Sequence, residues 1–235
     1  MPVTDVAGGC FRSSANYPAL AAKALGMVLD DRACGGAQTE DVTRAQHPGV
    51  PPQQTALTAR TELVTVGLGG NDGGVFRTLV GGCFGQRPSR SGGTCSVTLD
   101  ASGRSRLLAS LGRTERRLVA VLRLVHQRAP RARVLAVGYP QLVSSAHVCA
   151  LLPFTRADYA FGERVNHGLS EAVRRAAQAA GATYVDVWRA SRGHDICSKD
   201  PWVNGPRTDQ RRAAAYHPFA VEQAAVARLV EAAAR

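Results

Sequence analysis

The sequence predicts an α/β protein, a single domain over residues 1–235 built as three layers, with a parallel sheet covered by helices on both faces. Two observations predict it. Short apolar, β-branched runs recur at 62–68, 133–138 and 183–188. Stretches with helical periodicity, at 103–128 and 157–180, lie between them. Strands alternating with helices pair in parallel through crossovers, and the covering helices bury the sheet on both sides. At 235 residues, 45% of them hydrophobic, the chain can build one sizeable core. Its apolar runs are too short to span a bilayer.

From the N-terminus, Ser14 followed by Ala15-Asn16-Tyr17-Pro18 reads as a helix start, with Ser13 or Ser14 as the cap. Leu20, Ala21, Ala24 and Leu25 continue the helix and Gly26 ends it. Met27 to Leu29 is a short strand candidate. The polar, Pro-rich stretch 39–60 is a loop with about one helical turn. Glu62 to Leu68 is a buried strand that runs into Gly69-Gly70-Asn71-Asp72, and Val75 to Leu79 is a short helix. Residues 84–98 form a loop, Arg133 to Gly138 a strand, Thr183 to Trp188 a further strand, and 189–216 a long loop. Pro218 fits the first position of a helix that runs to the C-terminus.

The formal net charge is +11, and lysine stands only at Lys23 and Lys199. A basic balance raises nucleic acid as a partner. The arginines, however, are scattered or fall on helical faces, as at Arg113, Arg116, Arg117 and Arg123, without interleaved aromatics. The reading is therefore no nucleic acid and no stable membrane insertion.

Six cysteines, Cys10, Cys34, Cys83, Cys95, Cys149 and Cys197, contain no CxxC pair. An even count without zinc spacing points to disulfides, and six cysteines allow fifteen pairings; nearest neighbours would give Cys10–Cys34, Cys83–Cys95 and Cys149–Cys197. The rival is six reduced thiols in a cytosolic protein. Disulfides imply export, yet the opening MPVTDVAGGC has neither a basic n-region nor an apolar h-region. The expectation is a secreted protein whose true start lies upstream of Met1.

In a parallel sheet, chemistry gathers at the carboxyl ends of the strands. Here these are Gly36, Asn71, Tyr139 and the loop before His217. The glycines of Gly69-Gly70-Asn71-Asp72 allow close backbone approach, and the Asn71 amide can donate to an oxyanion; taken alone the same tetrapeptide is ordinary turn chemistry. Gly36 can open a backbone N–H to a ligand, or simply turn the chain beside Cys34. His217, before Pro218, can serve as a general base. His47, His126, His147, His167 and His194 read as surface or structural.

The order of Gly36, then Gly69-Gly70-Asn71-Asp72, then His217-Pro218 resembles the SGNH/GDSL hydrolases, most closely the disulfide-bearing lipases and esterases of actinobacterial type. The resemblance covers essentially the whole chain. Cys10 to Pro18 looks like the segment after that family's nucleophile, Ala33 to Ala37 like its glycine block, and Val64 to Asp72 like its asparagine block. Gly138-Tyr139-Pro140 and Trp202-Val203-Asn204-Gly205 complete the set. The resemblance implies a flavodoxin-like three-layer α/β/α fold and a serine ester hydrolase with no cofactor and no metal. It also implies a small-molecule or lipid ester as substrate and the three sequential disulfides; nothing in the sequence suggests an obligate assembly, so a monomer is expected. The Gly36 N–H and Asn71 would be oxyanion donors, His217 the general base, and Asp72 a loop brace. Two departures stand out. No Gly-Asp-Ser precedes Cys10, so the first strand and the nucleophile serine are missing from this sequence. Ser13 and Ser14 read as caps rather than substitutes. Where the family often has Asp three residues before the His, this chain has Ala214, whose backbone carbonyl is the expected support for His217, with Asp209 a weaker alternative. The chain as it stands is expected to fold poorly and hydrolyse esters negligibly. The rival readings are a non-catalytic remnant or binding module that keeps the pocket, and an anion- or nucleic-acid-binding surface.

Overall fold

The computed structural model describes residues 9–79 and 101–235. In chain order the elements are α1 (Tyr17–Leu25), β1 (Leu63–Val66), α2 (Val75–Arg77), α3 (Ala101–Arg128), β2 (Arg133–Val137), α4 (Arg156–Ala180), β3 (Thr183–Val185), α5 (Val187–Ala190) and α6 (Ala220–Ala234). The three strands form a parallel sheet in the order β1-β2-β3, with Leu63 level with Arg133 and Leu135 level with Thr183. Among the described residues no helix is long and apolar enough to cross a membrane.

The strand sequences dictate the layers. Side chains alternate across a strand, so β2, apolar and buried from Val134 to Val137, must be covered on both faces. Val134 and Ala136 pack with Leu118, Val121 and Leu122 of α3 and Val173 and Ala176 of α4. Leu135 and Val137 pack with Ala21 of α1 and Val226 and Val230 of α6. Each such side chain taken fully out of water contributes about 1.5–3 kcal/mol.

Helix ends follow from local chemistry. Asn16, with an extended backbone, caps α1 by accepting from the Ala19 N–H at 3.0 Å, and Gly26 closes it at φ 67°. The cap is thus Asn16 rather than Ser13 or Ser14; Ser13 Oγ instead accepts from the Ala15 N–H at 3.1 Å in the turn before it. Helix α4 opens on a reciprocal box in which Thr155 and Asp158 satisfy each other's backbone N–H groups.

Four further expectations change. Residues 27–29 form no strand, and Val28 is fully exposed (101%), because no described strand lies beside them to pair with. The strand at 183 stops at Val185, since Asp186 caps α5 by accepting from the Arg189 N–H and turns Trp188 into a helix. Pro218 is not inside the last helix. It bridges to Val203, and α6 begins only after Phe219. Stretch 39–60 holds two 3-10 turns rather than one, at Thr39–Val42 and Gln53–Ala56. The disulfides Cys10–Cys34 and Cys149–Cys197 are both formed, whereas Cys83 and Cys95 lie outside the described residues.

The first turn of α6 holds a carboxyl that matters for stability. Glu222 is buried, with the Gln223 amide donating to it at 2.6 Å, and the Gln223 carbonyl oxygen accepts from the Tyr17 N–H at 2.7 Å. Burial pushes the Glu222 carboxyl up from 4.5 to about 7, with the Gln223 hydrogen bond opposing only in part. The folded state therefore binds a proton that the unfolded chain has already released, and stability present below pH 4.5 is lost as pH rises to about 7. The loss is roughly 3 kcal/mol at one pKa unit per 1.4 kcal/mol. Urea titrations across this range should show a falling midpoint for the parent chain and a nearly flat one for Glu222→Gln. Parallel pH profiles for the two would contradict the assignment.

Candidate active site at the carboxyl edge of the sheet

The loops after the strands are tied together by short polar contacts. After β1 the chain passes through Gly69 and Gly70 into Asn71. Gly70 has no room for a side chain, since a Cβ there would lie 2.1 Å from the Phe76 ring. Its N–H donates to the Tyr139 hydroxyl at 2.8 Å, so the loop after β2 anchors the loop after β1. Burial holds the Tyr139 phenol well above the ordinary tyrosine range, hence protonated. The ring also packs edge-on to Phe76, with centroids 5.2 Å apart.

Gly36 lies in the left-handed region at φ 77°, which favours glycine, in a turn pinned by the Cys10–Cys34 disulfide and by the Gly35 N–H donating to the Cys10 carbonyl at 2.8 Å. The Asn71 Nδ2 donates to the Ala37 carbonyl at 3.1 Å, which sets the amide against the residue after Gly36. Amide nitrogen carries two hydrogens, so one remains for a ligand. Asp72 completes the link. It is fully buried and accepts from the Thr39 N–H at 2.8 Å and the Thr39 hydroxyl at 2.5 Å, with Arg117 at 3.7 Å. Its carboxylate holds the glycine loop to the asparagine loop.

The His217 ring is exposed, and its Nδ1 lies 2.7 Å from the Ala215 carbonyl oxygen. A carbonyl only accepts, so Nδ1 carries a proton, and in the neutral ring the lone pair then sits on Nε2. The expected support from Ala214 is corrected here. The Ala214 carbonyl instead accepts from the His217 backbone N–H at 3.1 Å and the Asn204 side-chain amide at 3.1 Å. Asp209 takes the Arg211 N–H at 2.9 Å, inside its own turn. Tyr216 stands at φ 60°, a left-handed conformation uncommon for a bulky residue, and this turns the chain so that the Ala215 carbonyl meets the ring of His217.

Asn204 has a part that the sequence motif alone did not assign. Its side chain donates to the carbonyls of Arg207, Ala213 and Ala214, and its backbone N–H donates to His217 O, so it staples the histidine loop shut. Tyr216 and Val203 of this loop pack on the apolar cluster that also holds Val75 and Phe76, just past Asn71. The glycine loop is tied through Cys34–Cys10 to the segment leading into α1, and Tyr17 of α1 bonds to Gln223, six residues past His217.

Comparison with known proteins bears on this arrangement directly. The GDSL-like Lipase/Acylhydrolase family matches residues 3–220. The chain belongs to this family. "Lipase 2" of Streptomyces coelicolor is 42% identical over 200 residues, which is 84% of this chain and 68% of the relative. Among solved structures, the extracellular lipase of Streptomyces rimosus superposes with a TM-score of 0.81 at 27% identity, covering 97% of this chain and 91% of that one. The phospholipase A1 of Streptomyces albidoflavus superposes with a TM-score of 0.73, also at 27% identity, covering 95% and 90%. As a GDSL-like chain with an α/β fold and a parallel sheet, it is placed among ester hydrolases of lipase and esterase type, and the two disulfides among the described residues are consistent with export.

The Asp72 brace can be tested on stability alone. Asp72→Ala leaves the Thr39 N–H and hydroxyl buried without their acceptor, at about 1–3 kcal/mol each. Denaturant unfolding should therefore show a loss of about 2–4 kcal/mol, partly recovered in Asp72→Asn. A loss under ~1 kcal/mol would mean that the two loops are held together by something else.

Proposed function

We propose that this chain carries the oxyanion and base half of a serine ester hydrolase, and that it acts on carboxylic esters only when a strand bearing the nucleophile completes it. The observation that supports this most strongly is the Asn71 amide set against Ala37, next to Gly36, at the carboxyl edge of the sheet. In the completed site a serine Oγ attacks the acyl carbonyl while His217 Nε2 takes its proton. The oxyanion receives the Gly36 N–H, the second Asn71 amide hydrogen and the serine's own N–H. Collapse expels the alcohol, which takes the proton from the imidazolium, and leaves an acyl-enzyme. Water then attacks with His217 again as base, releasing the carboxylic acid and regenerating the serine. Through the Nδ1–H bond the Ala215 carbonyl fixes the tautomer, which makes a Ser-His dyad rather than a triad with a carboxylate. No step requires a metal or cofactor.

Ser13 is not a substitute for the nucleophile. Ser13 is buried and its Oγ accepts a backbone N–H within its own turn. The chain given is thus inactive by itself, secreted and monomeric, with a small-molecule or lipid ester as the substrate of its completed form.

The test compares p-nitrophenyl butyrate hydrolysis by the 235-residue chain with that by a version extended at its N-terminus by an apolar strand ending in Gly-Asp-Ser. The first should show no turnover above buffer and the second should turn over. In the extended protein Asn71→Ala should cost about 10²–10³-fold in kcat and His217→Ala about 10³–10⁴-fold. Ser13→Ala and Ser14→Ala should cost nothing. Full esterase turnover by the 235-residue chain would overturn the proposal.

A further inference from the structure

We infer that the outer face of α3 is a docking surface for an anionic phospholipid bilayer, held there by a stripe of arginines that bind lipid phosphates. The choice of lipid rests on the hydrolase reading above; the charge and geometry of the face do not.

Helix α3 carries seven arginines against one glutamate, a net +6 of the chain's formal +11. That glutamate, Glu115, is already paired with Arg175 of α4 at 2.8 Å. Successive helical residues turn by about 100°, so Arg106, Arg113, Arg116 and Arg123 fall within one band of the helix surface. The opposite band holds Leu107, Leu111, Leu118 and Val125, which pack into the core. All four arginines are exposed. At a rise of about 1.5 Å per residue the stripe is about 26 Å long.

The stripe keeps its donors for something outside the chain. Arg113 and Arg116 make no hydrogen bond or ion pair among the described residues. Arg106 makes a single bond, to the Ser102 hydroxyl at 2.9 Å, and Arg123 a single bond to the Ala179 carbonyl at 3.4 Å. A guanidinium has five N–H donors in a planar fork that fits phosphate oxygens two at a time. Between the arginines the band holds only small residues, Ala109, Gly112 and Ala120. A broad, flat partner can therefore approach along the whole stripe. No large apolar side chain is exposed on α3, so the contact stays at the level of the headgroups and is electrostatic.

The inner side of the same turns holds the asparagine loop. A Cβ at Gly69 would lie 2.9 Å from Thr114 and one at Gly73 3.4 Å from Ser110, while Arg117 stands 3.7 Å from Asp72. A bilayer on the outer face would lie about one helix diameter, ~10 Å, from the loop that carries Asn71. That brings the site to a surface in which esters are carried. Duplex nucleic acid is the competing polyanion. The stripe, however, has no aromatic ring to stack on a base and no side-chain amide between its arginines to read a base edge.

The test is co-flotation of the 235-residue chain with vesicles, which reads binding without turnover. The chain should float with vesicles of equimolar phosphatidylcholine and phosphatidylglycerol. It should not float with phosphatidylcholine alone, nor with the mixed vesicles at about 1 M salt, where charges are screened beyond about 3 Å. The triple variant Arg113→Gln, Arg116→Gln, Arg123→Gln should partition about 100-fold more weakly, at about fivefold per arginine. A control triple, Arg156→Gln, Arg189→Gln, Arg192→Gln, removes the same charge from exposed positions elsewhere and should lose less than about threefold. No binding, equal losses in the two triples, salt-insensitive binding to phosphatidylcholine, or tighter binding to duplex DNA than to the mixed vesicles overturns the proposal. Turnover of soluble p-nitrophenyl butyrate by the N-terminally extended chain decides the hydrolase reading separately, whatever the vesicles show.

Discussion

A parallel sheet places its reactive loops correctly only if the strands beneath them are in register, and among the described residues β1 is paired on one edge only. β1 bonds to β2 through alternate residues and leaves Leu63, Thr65 and Gly67 facing a cavity. Yet β1 feeds Gly69, Gly70 and Asn71, the most constrained loop of the molecule. Tyr139, Asp72 and the Cys10–Cys34 bridge take over the positioning that a second neighbour would otherwise share.

The histidine loop solves its problem by different means. Among the described residues no carboxylate partners His217, and backbone geometry does the holding instead. Asn204 gathers three carbonyls, the left-handed Tyr216 turns the chain, and the Ala215 carbonyl accepts Nδ1–H. This fixes the tautomer and the ring's aim. It supplies no negative charge to support an imidazolium, so in the proposed mechanism the ring would be oriented without the electrostatic gain of a triad. In the proposed mechanism the oxyanion side is likewise a matter of backbone placement, through Gly36 and one amide hydrogen of Asn71.

Much of this was legible in the sequence. The apolar runs at 62–68 and 133–138 and the helical periods of 103–128 and 157–180 are strong local signals, and strands and helices stand there. The order Gly36, Asn71, His217 carried the family. What failed was what depends on neighbours. Met27 to Leu29 has strand composition, but a strand exists only where another strand bonds to it. Trp188 continued an apolar run, but Asp186 capped a helix before it. The shift from the Ala214 to the Ala215 carbonyl turns on the positive φ of Tyr216, which no residue type announces. Asn204 was visible as a motif position, yet its three carbonyl partners are set by the fold of a long loop.

The account stands or falls on the one-sided pairing of β1, and amide hydrogen exchange reads it residue by residue. In the 235-residue chain the amides of Val64 and Val66 should be protected while those of Leu63, Thr65 and Gly67 exchange at rates close to those of exposed amides. Uniform protection across residues 63–67 would show that the outer edge is already paired, and the open slot on which this account depends would not exist.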